Sequence, residues 1–233
     1  MITDVPGVLV GRHERVTVVL TPDGATGAAD LRGATGTRET DLLDPANLVR
    51  QVHGICLAGG GGFGLAAADG VVRWLAEREH GFPVGVRPGE VAPIVPAATL
   101  ADLPVSEWRS APDAGSGYTA CESTGPVRLG PGLGSASSMA EEWSAGALVM
   151  LGAGGLAVVA TDVELSKADC RRLALAGQDG LARTGWSAGR EHGAAVFALA
   201  TGRRPGPAGP LELDRLCAVI AQVTHQAAQP IVG

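Results

Sequence analysis

The chain has 233 residues, 45% of them hydrophobic and 18% charged, with a formal net charge of −6. That length suits one large domain burying roughly 70% of its unfolded surface, and the composition excludes intrinsic disorder. The negative balance, with Arg171-Arg172 and Arg203-Arg204 as the only basic doublets, excludes a nucleic-acid partner.

Aromatic residues are scarce and glycines abundant, so the core must be built from Val, Leu and Ala with close backbone contacts. The four cysteines, Cys56, Cys121, Cys170 and Cys217, form no C-x-x-C pair. The start, MITDVPGV, has neither a basic n-region nor an apolar h-region, so a cytoplasmic protein with reduced thiols is expected. Trp143 to Thr161 carries no formal charge, but Gly146, Gly152, Gly154 and Gly155 interrupt it. No membrane span is expected there.

In chain order, Val16–Leu20 reads as a strand ended by the turn signal Pro22-Asp23-Gly24. Asp30 to Pro45 is polar and contains TRETDLLDP, Thr37 to Pro45. Ile55–Ala58 reads as a short buried strand running into four glycines, and a helix is predicted from about Phe63 to Glu79. Val91–Leu100 is extended, but its two prolines assign it to an edge or a loop. Ser106 to Gly117 reads as irregular, Tyr118 opens a short helical segment, and Gly130–Gly134 is a second glycine-rich loop. Ala147–Leu151 and Leu156–Val163 are predicted strands joined by a turn at Gly152–Gly155. Ser166-Lys167-Ala168-Asp169 resembles a capping box and opens a helix to about Arg183. Ala195–Ala200 is a strand, Arg203–Pro210 a surface loop, and a last helix runs from about Glu212 to Ala227. There is no repeat or interdomain linker, so a single domain over residues 1–233 with layered α/β architecture is expected.

Few constellations carry chemistry. Gly59–Gly64 satisfies G-x-G-x-x-G between a strand and a helix, but four consecutive glycines satisfy many patterns. No acid follows on a second strand, so tight helix–sheet packing is the favoured explanation, and no cofactor is expected. The five histidines show no metal-ligand spacing, so no metal is expected. His225 reads as solvated. No G-x-S-x-G elbow is present. Cys170 falls early in a helix but fits its buried stripe, so packing explains it better than reactivity.

Several strings then point one way. MITDVPGVLVG, GTRETDLLDP, GGGGFGLAAADGVVRWL, VPAA, GLGSAS, LAVVATD and VFALATG resemble, in order, the DmpA family of L-aminopeptidase/D-esterases, β-peptidyl aminopeptidases and nylon-oligomer hydrolases. The resemblance covers nearly the whole chain. It implies a four-layer αββα sandwich of the N-terminal-nucleophile-hydrolase type and assembly into homo-oligomers, tetramers or larger. It also implies a precursor that cuts itself before a Ser or Thr, whose freed amine and hydroxyl then hydrolyse amides.

Carried over residue by residue, that mechanism is interrupted. Family members read Asn-Thr-Thr or Asn-Ser-Thr before the run Leu156–Asp162, where this chain has Ala153-Gly154-Gly155. Gly154 therefore occupies the place of the nucleophile, and Gly152 that of the oxyanion asparagine. Gly61 stands for the family's serine in the pocket loop Gly60-Gly61-Gly62, and a polar D-G-D or S-x-E string has become His192-Gly193-Ala194. The chain is also short between Leu151 and Leu156, where relatives carry a linker ending at the cut. Tyr118 matches the tyrosine of the family's GY motif, a candidate oxyanion donor.

Three functions fit these residues, and self-cleavage is expected in none of the three. The favoured one is an uncleaved, repurposed small-molecule enzyme or binder, with His192 as acid/base, Glu191 or Glu122 orienting it, and Tyr118 as donor. The second is an inactive structural or regulatory pseudoenzyme. The third is an amide hydrolase with a substitute nucleophile, Ser135, Ser137 or Cys121.

Overall fold

The aliphatic run Val16–Leu20 starts a strand that does not end at its turn signal. In the computed structural model, which describes residues 1–33, 36–125, 129–152, 154–185 and 193–232, that strand continues to Arg32. The strands are β1 (Leu9–His13), β2 (Val16–Arg32), β3 (Gly36–Arg38), β4 (Gln51–Ala58), β5 (Phe82–Pro83), β6 (Val91–Ala92), β7 (Ala97–Thr99), β8 (Leu133–Met139), β9 (Ser144–Gly152), β10 (Gly154–Val163) and β11 (Ala194–Arg204). The helices are α1 (Ala67–Ala76), α2 (Ala114–Glu122), α3 (Lys167–Ala182) and α4 (Pro210–Val232).

Pro22-Asp23-Gly24 is a bulge within β2, not a turn that ends it. The β2–β4 register slips between Leu20 and Ala25, and Gly24 adopts φ +85°. A bulge tolerates the missing proline N–H and bends the strand. The bend lets β2 serve two leaves. Its first part lies between β1 and β4 in the order β3-β7-β4-β2-β1, and its second part pairs with β11 in the order β2-β11-β10-β9-β8.

The leaves stack, and helices cover both outer faces. Val71 and Leu75 of α1 and Cys121 of α2 pack on Val16, Val18 and Cys56 of the first leaf. Val19 and Leu57 of that leaf meet Leu148, Val158 and Phe197 of the second. Leu173 of α3 and Leu216 and Ile220 of α4 cover Val149, Val159 and Val196. Three apolar interfaces thus separate four layers, giving the αββα sandwich that the resemblance implied. The strand β10 lies at its centre, antiparallel to β9 and parallel to β11, with every residue buried.

Glycine sets the spacing of the outer helices. A Cβ on Gly70 would fall 1.8 Å from the Ala114 carbonyl oxygen, and one on Gly117 would fall 1.9 Å from that of Ala67. Only glycine at both positions lets α1 and α2 approach so closely. The TRETDLLDP string is held from the other side. Lys167 Nζ donates to the carbonyl oxygens of Leu42, Asn47 and Val49, each at 2.9 Å. Those three acceptors compensate a buried ammonium group.

Several local expectations need correction. The predicted Phe63–Glu79 helix begins as a 3-10 turn over Gly61–Ala66, because consecutive glycines do not propagate an α-helix, and α1 ends at Ala76. The strand β7 is internal, flanked by β3 and β4, and its neighbours Pro93 and Pro96 fall outside the paired residues. Tyr118 sits in the middle of α2, whose N-cap Asp113 accepts from the Ser116 N–H. The GLGSAS string forms β8, and β11 runs on to Arg204. Ser166 does cap α3, accepting from the Asp169 N–H at 3.1 Å. His225 is half-buried with its Nδ1 enclosed, not solvated. Among the described residues no helix is long and apolar enough to cross a membrane.

Phe197 is fully buried where the two leaves meet. Phe197→Ala is expected to lower unfolding free energy in urea by about 3–5 kcal/mol. A loss under about 1 kcal/mol would contradict a closed interface between the leaves.

Candidate functional site

Strands β9 and β10 are separated by a single residue, Ala153, which lies outside the described residues. On either side of it Gly152 and Gly154 face each other in register. Gly154 has φ +147°, and a Cβ there would lie 3.1 Å from Leu100 Cδ2 and 3.3 Å from the Gly193 carbonyl oxygen. Next to it the Gly155 N–H donates to that same Gly193 oxygen at 2.9 Å. The position favours glycine by its conformation, and the space for a side chain there is tight.

A cavity of about 220 Å³ opens beside this hairpin, where the edges of the two leaves meet. Gly152, Leu151 and Met150 form one wall, Leu100, Asp102 and Gly59 a second, and Arg12, Glu14, Arg15 and Thr17 a third. The first is the end of β9, the second follows β7 and β4, and the third is the β1–β2 hairpin.

Asp102 organises the glycine loop. Its carboxylate accepts from the Gly60 N–H at 2.6 Å and from Arg15 Nη1 at 3.0 Å. The Gly59 N–H donates to the Arg15 carbonyl oxygen at 3.0 Å, and the Gly61 N–H to that of Leu100 at 2.8 Å. Three successive amides are thereby used inside the protein and are not presented to a phosphate, which favours the packing explanation of G-x-G-x-x-G. Gly59 lines the cavity; at Gly61 and Gly62 an added Cβ would meet nothing within 4 Å. The pocket loop is therefore open at Gly61 and Gly62.

Tyr118 is elsewhere. It lines a different cavity, of about 270 Å³, with Gly70, Arg73, Ala114, Gly115 and Thr119. Its hydroxyl donates to Glu77 at 2.7 Å, and that bond, then the one from Arg73, holds the Glu77 carboxyl below its ordinary range. Glu122 accepts from Arg78 at 2.8 Å and from the Trp74 indole N–H. Tyr118 and Glu122 thus fasten α1 to α2 and do not meet at Gly152. Glu191 and His192 lie outside the described residues.

The substitute nucleophiles are occupied or buried. Ser135 Oγ accepts from the Ile2 N–H at 2.9 Å and donates to the Ala147 carbonyl oxygen at 2.8 Å. Ser137 Oγ donates to Asp4 at 2.6 Å. Cys121 is buried, and desolvation pushes its thiol up to about 12. Cys170 is buried too, with its thiol raised for the same reason. Among the described residues no three His, Cys, Asp or Glu side chains are grouped to hold a metal.

Sequence reasoning missed Arg12, Arg15 and Asp102. A five-residue strand with glycine at its centre and charges at its end gives little periodic signal, and Asp102 follows a short strand in an irregular segment.

Comparison with known proteins places these observations in a wider setting. The model for peptidase family S58 matches residues 1–156 and again 152–231, and the two matches meet at the Gly152–Gly154 hairpin. An uncharacterized aminopeptidase of Mycobacterium tuberculosis is 39% identical over an alignment of 282 positions, covering 86% of this chain and 81% of that protein. Its Mycobacterium leprae counterpart is 38% identical, covering 86% and 78%. Since 282 positions exceed the 233 residues available, the M. tuberculosis relative has residues that this chain lacks. Among solved structures, a Burkholderia sp. beta-aminopeptidase superposes with TM-score 0.77 at 21% identity, covering 99% of this chain and 85% of that one. The L-aminopeptidase D-Ala-esterase/amidase of Ochrobactrum anthropi, described as a variant of the Ntn hydrolase fold, gives 0.74 at 20% identity, covering 99% and 85%.

A thiol pushed up to about 12 is about one part in ten thousand thiolate at pH 8. Iodoacetamide at that pH is therefore expected to leave Cys121 unmodified in the native protein and to label it after denaturation, as read by peptide mass. Rapid native labelling of Cys121 would restore it as a nucleophile.

Proposed function

The chain belongs to peptidase family S58, the DmpA family, and on that premise we propose that it is an uncleaved member without the family's N-terminal-nucleophile hydrolysis. In this proposal the scaffold is kept and the cavity beside Gly152 serves as a small-molecule site. The observation that carries it is the Gly152–Gly154 hairpin. Self-cleavage needs a hydroxyl to attack the preceding carbonyl and a flexible segment to present it. Glycine supplies no hydroxyl, and one intervening residue supplies no such segment. The φ of Gly154 adds to this, since a threonine placed there would be strained and pressed against Leu100.

The cavity supports the second half. Its rim is charged and one wall aliphatic, and among the described residues Thr17 is the only Ser, Thr or Cys that lines it. Among the described residues no hydrogen bond joins the Thr17 hydroxyl to Glu14 or Asp102, the carboxylates that line the cavity with it. Binding is therefore the role this cavity fits better than acyl transfer. Self-association is part of the same proposal, supported by the exposed side chains of Phe82, Val84 and Val86 and by the exposed, stacked Phe63–Trp108 pair.

The test is hydrolysis of L-aminoacyl anilides, D-alanine amide and β-amino-acid anilides, beside an active family member. No release above the uncatalysed background is expected, and Gly154→Thr is expected to restore none. Sustained release proportional to protein concentration would overturn the proposal.

A further inference from the structure

Two side chains in the cavity beside Gly152 have hydrogen-bonding chemistry and no partner. Arg12 and Thr17 stand opposite each other in the β1–β2 ladder. The Arg12 N–H donates to Ser123 Oγ and its carbonyl oxygen accepts from that hydroxyl, both at 2.8 Å. Its main chain is thus turned away from β2, and the pair is of the non-hydrogen-bonded kind, in which side chains come closest.

Strand alternation gives their direction. Gly11 faces α2, where an added Cβ would lie 2.0 Å from the Ala120 carbonyl oxygen. Val10 and Val19 belong to the core between the leaves. Arg12 and Thr17, two positions along from these, share that inner face and line the cavity.

Thr17 is 1% exposed, yet its hydroxyl has no hydrogen-bond partner among the described residues. That hydroxyl is therefore available to donate to an acceptor placed in the cavity it lines. The Arg12 guanidinium meets no carboxylate among the described residues either, whereas Arg15 is engaged by Asp102. Arg12 Nη1 lies 2.0 Å from where a Gly130 Cβ would be, so the absence of a side chain at Gly130 makes room for it. The remaining wall is aliphatic, with Leu100, Pro131, Met150 and Leu151.

We infer that this cavity binds a small aliphatic carboxylate. The carboxylate accepts from the Arg12 guanidinium and the Thr17 hydroxyl, and the hydrocarbon lies against Leu100, Met150 and Leu151. A carboxylate has acceptors for both donors and cancels the guanidinium charge, which a neutral amide does not. The size of about 220 Å³ restricts the ligand to a short chain. This inference rests on the proposal that the cavity is a ligand site, and extends it to the class of ligand.

The test titrates the full chain calorimetrically with straight-chain carboxylates from acetate to hexanoate and with their primary amides. At least one carboxylate is expected to bind roughly 10-fold more tightly than its amide, the worth of a charge-assisted hydrogen bond. Arg12→Gln is expected to abolish that preference, and Thr17→Val to weaken carboxylate binding while leaving the amide unchanged, both with wild-type melting temperatures. Amide-proton shifts in the unmutated protein give a second readout, expected at Thr17, Leu151 and Gly152 whatever the variants do. Equal binding of acid and amide, a preference surviving Arg12→Gln, or shifts only elsewhere would overturn the inference. Absence of carboxylate binding in a protein that is uncleaved and hydrolytically silent would overturn this inference alone, leaving the proposed function standing.

Discussion

One residue between Gly152 and Gly154 forces β9 and β10 to pair as a hairpin, and the rest of the site is arranged around that constraint. A connection so short brings the two strand ends into register. Two opposed glycines let the strand end lie close to Leu100 and Gly193. The central strand of the sandwich is thereby entered from its neighbour, and its first residues are held by ladder bonds on both sides. On the proposed function, this continuous entry into β10 replaces a self-cleavage junction.

The cavity beside the hairpin is lined by charged and aliphatic side chains. Its polar groups come from the β1–β2 hairpin and from Asp102, which positions the glycine loop through Gly60 and Arg15. Arg12 and Thr17 contribute donors to the cavity, and of the carboxylates that line it Asp102 is engaged by Gly60 and Arg15. In the proposed role the Arg12 guanidinium and the Thr17 hydroxyl donate to a bound anion. Tyr118 and Glu122, candidates for acid/base work at this mouth, lie away from it. Tyr118 and Glu122 stabilise the outer helices, where their partners are Glu77, Arg78 and Trp74.

How much of this was legible in the sequence depended on the range of the interactions involved. The β10 run, its glycine mouth, the Ser166 cap and the buried Cys170 follow from local pattern and were read correctly. The four-layer architecture followed from the resemblance, and the three apolar interfaces bear it out. The length of β2 was illegible, because Pro22-Asp23-Gly24 makes the same local signal as a bulge and as a turn. Only the pairing of Ala25 and Thr26 with β4, and of the residues beyond with β11, decides between them. The prolines near β7 misled for a related reason, since Pro93 and Pro96 stand outside the paired residues. Arg12 and Asp102 meet at one cavity from segments far apart in the chain, and nothing in their neighbours announces it.

The central claim is that the peptide connection across Gly152–Gly155 stays intact in the mature protein. Intact-mass spectrometry after prolonged incubation of the purified, denatured and reduced chain measures it directly. One species near 23.4 kDa is predicted. Two fragments whose junction falls between Gly152 and Leu156 would contradict it.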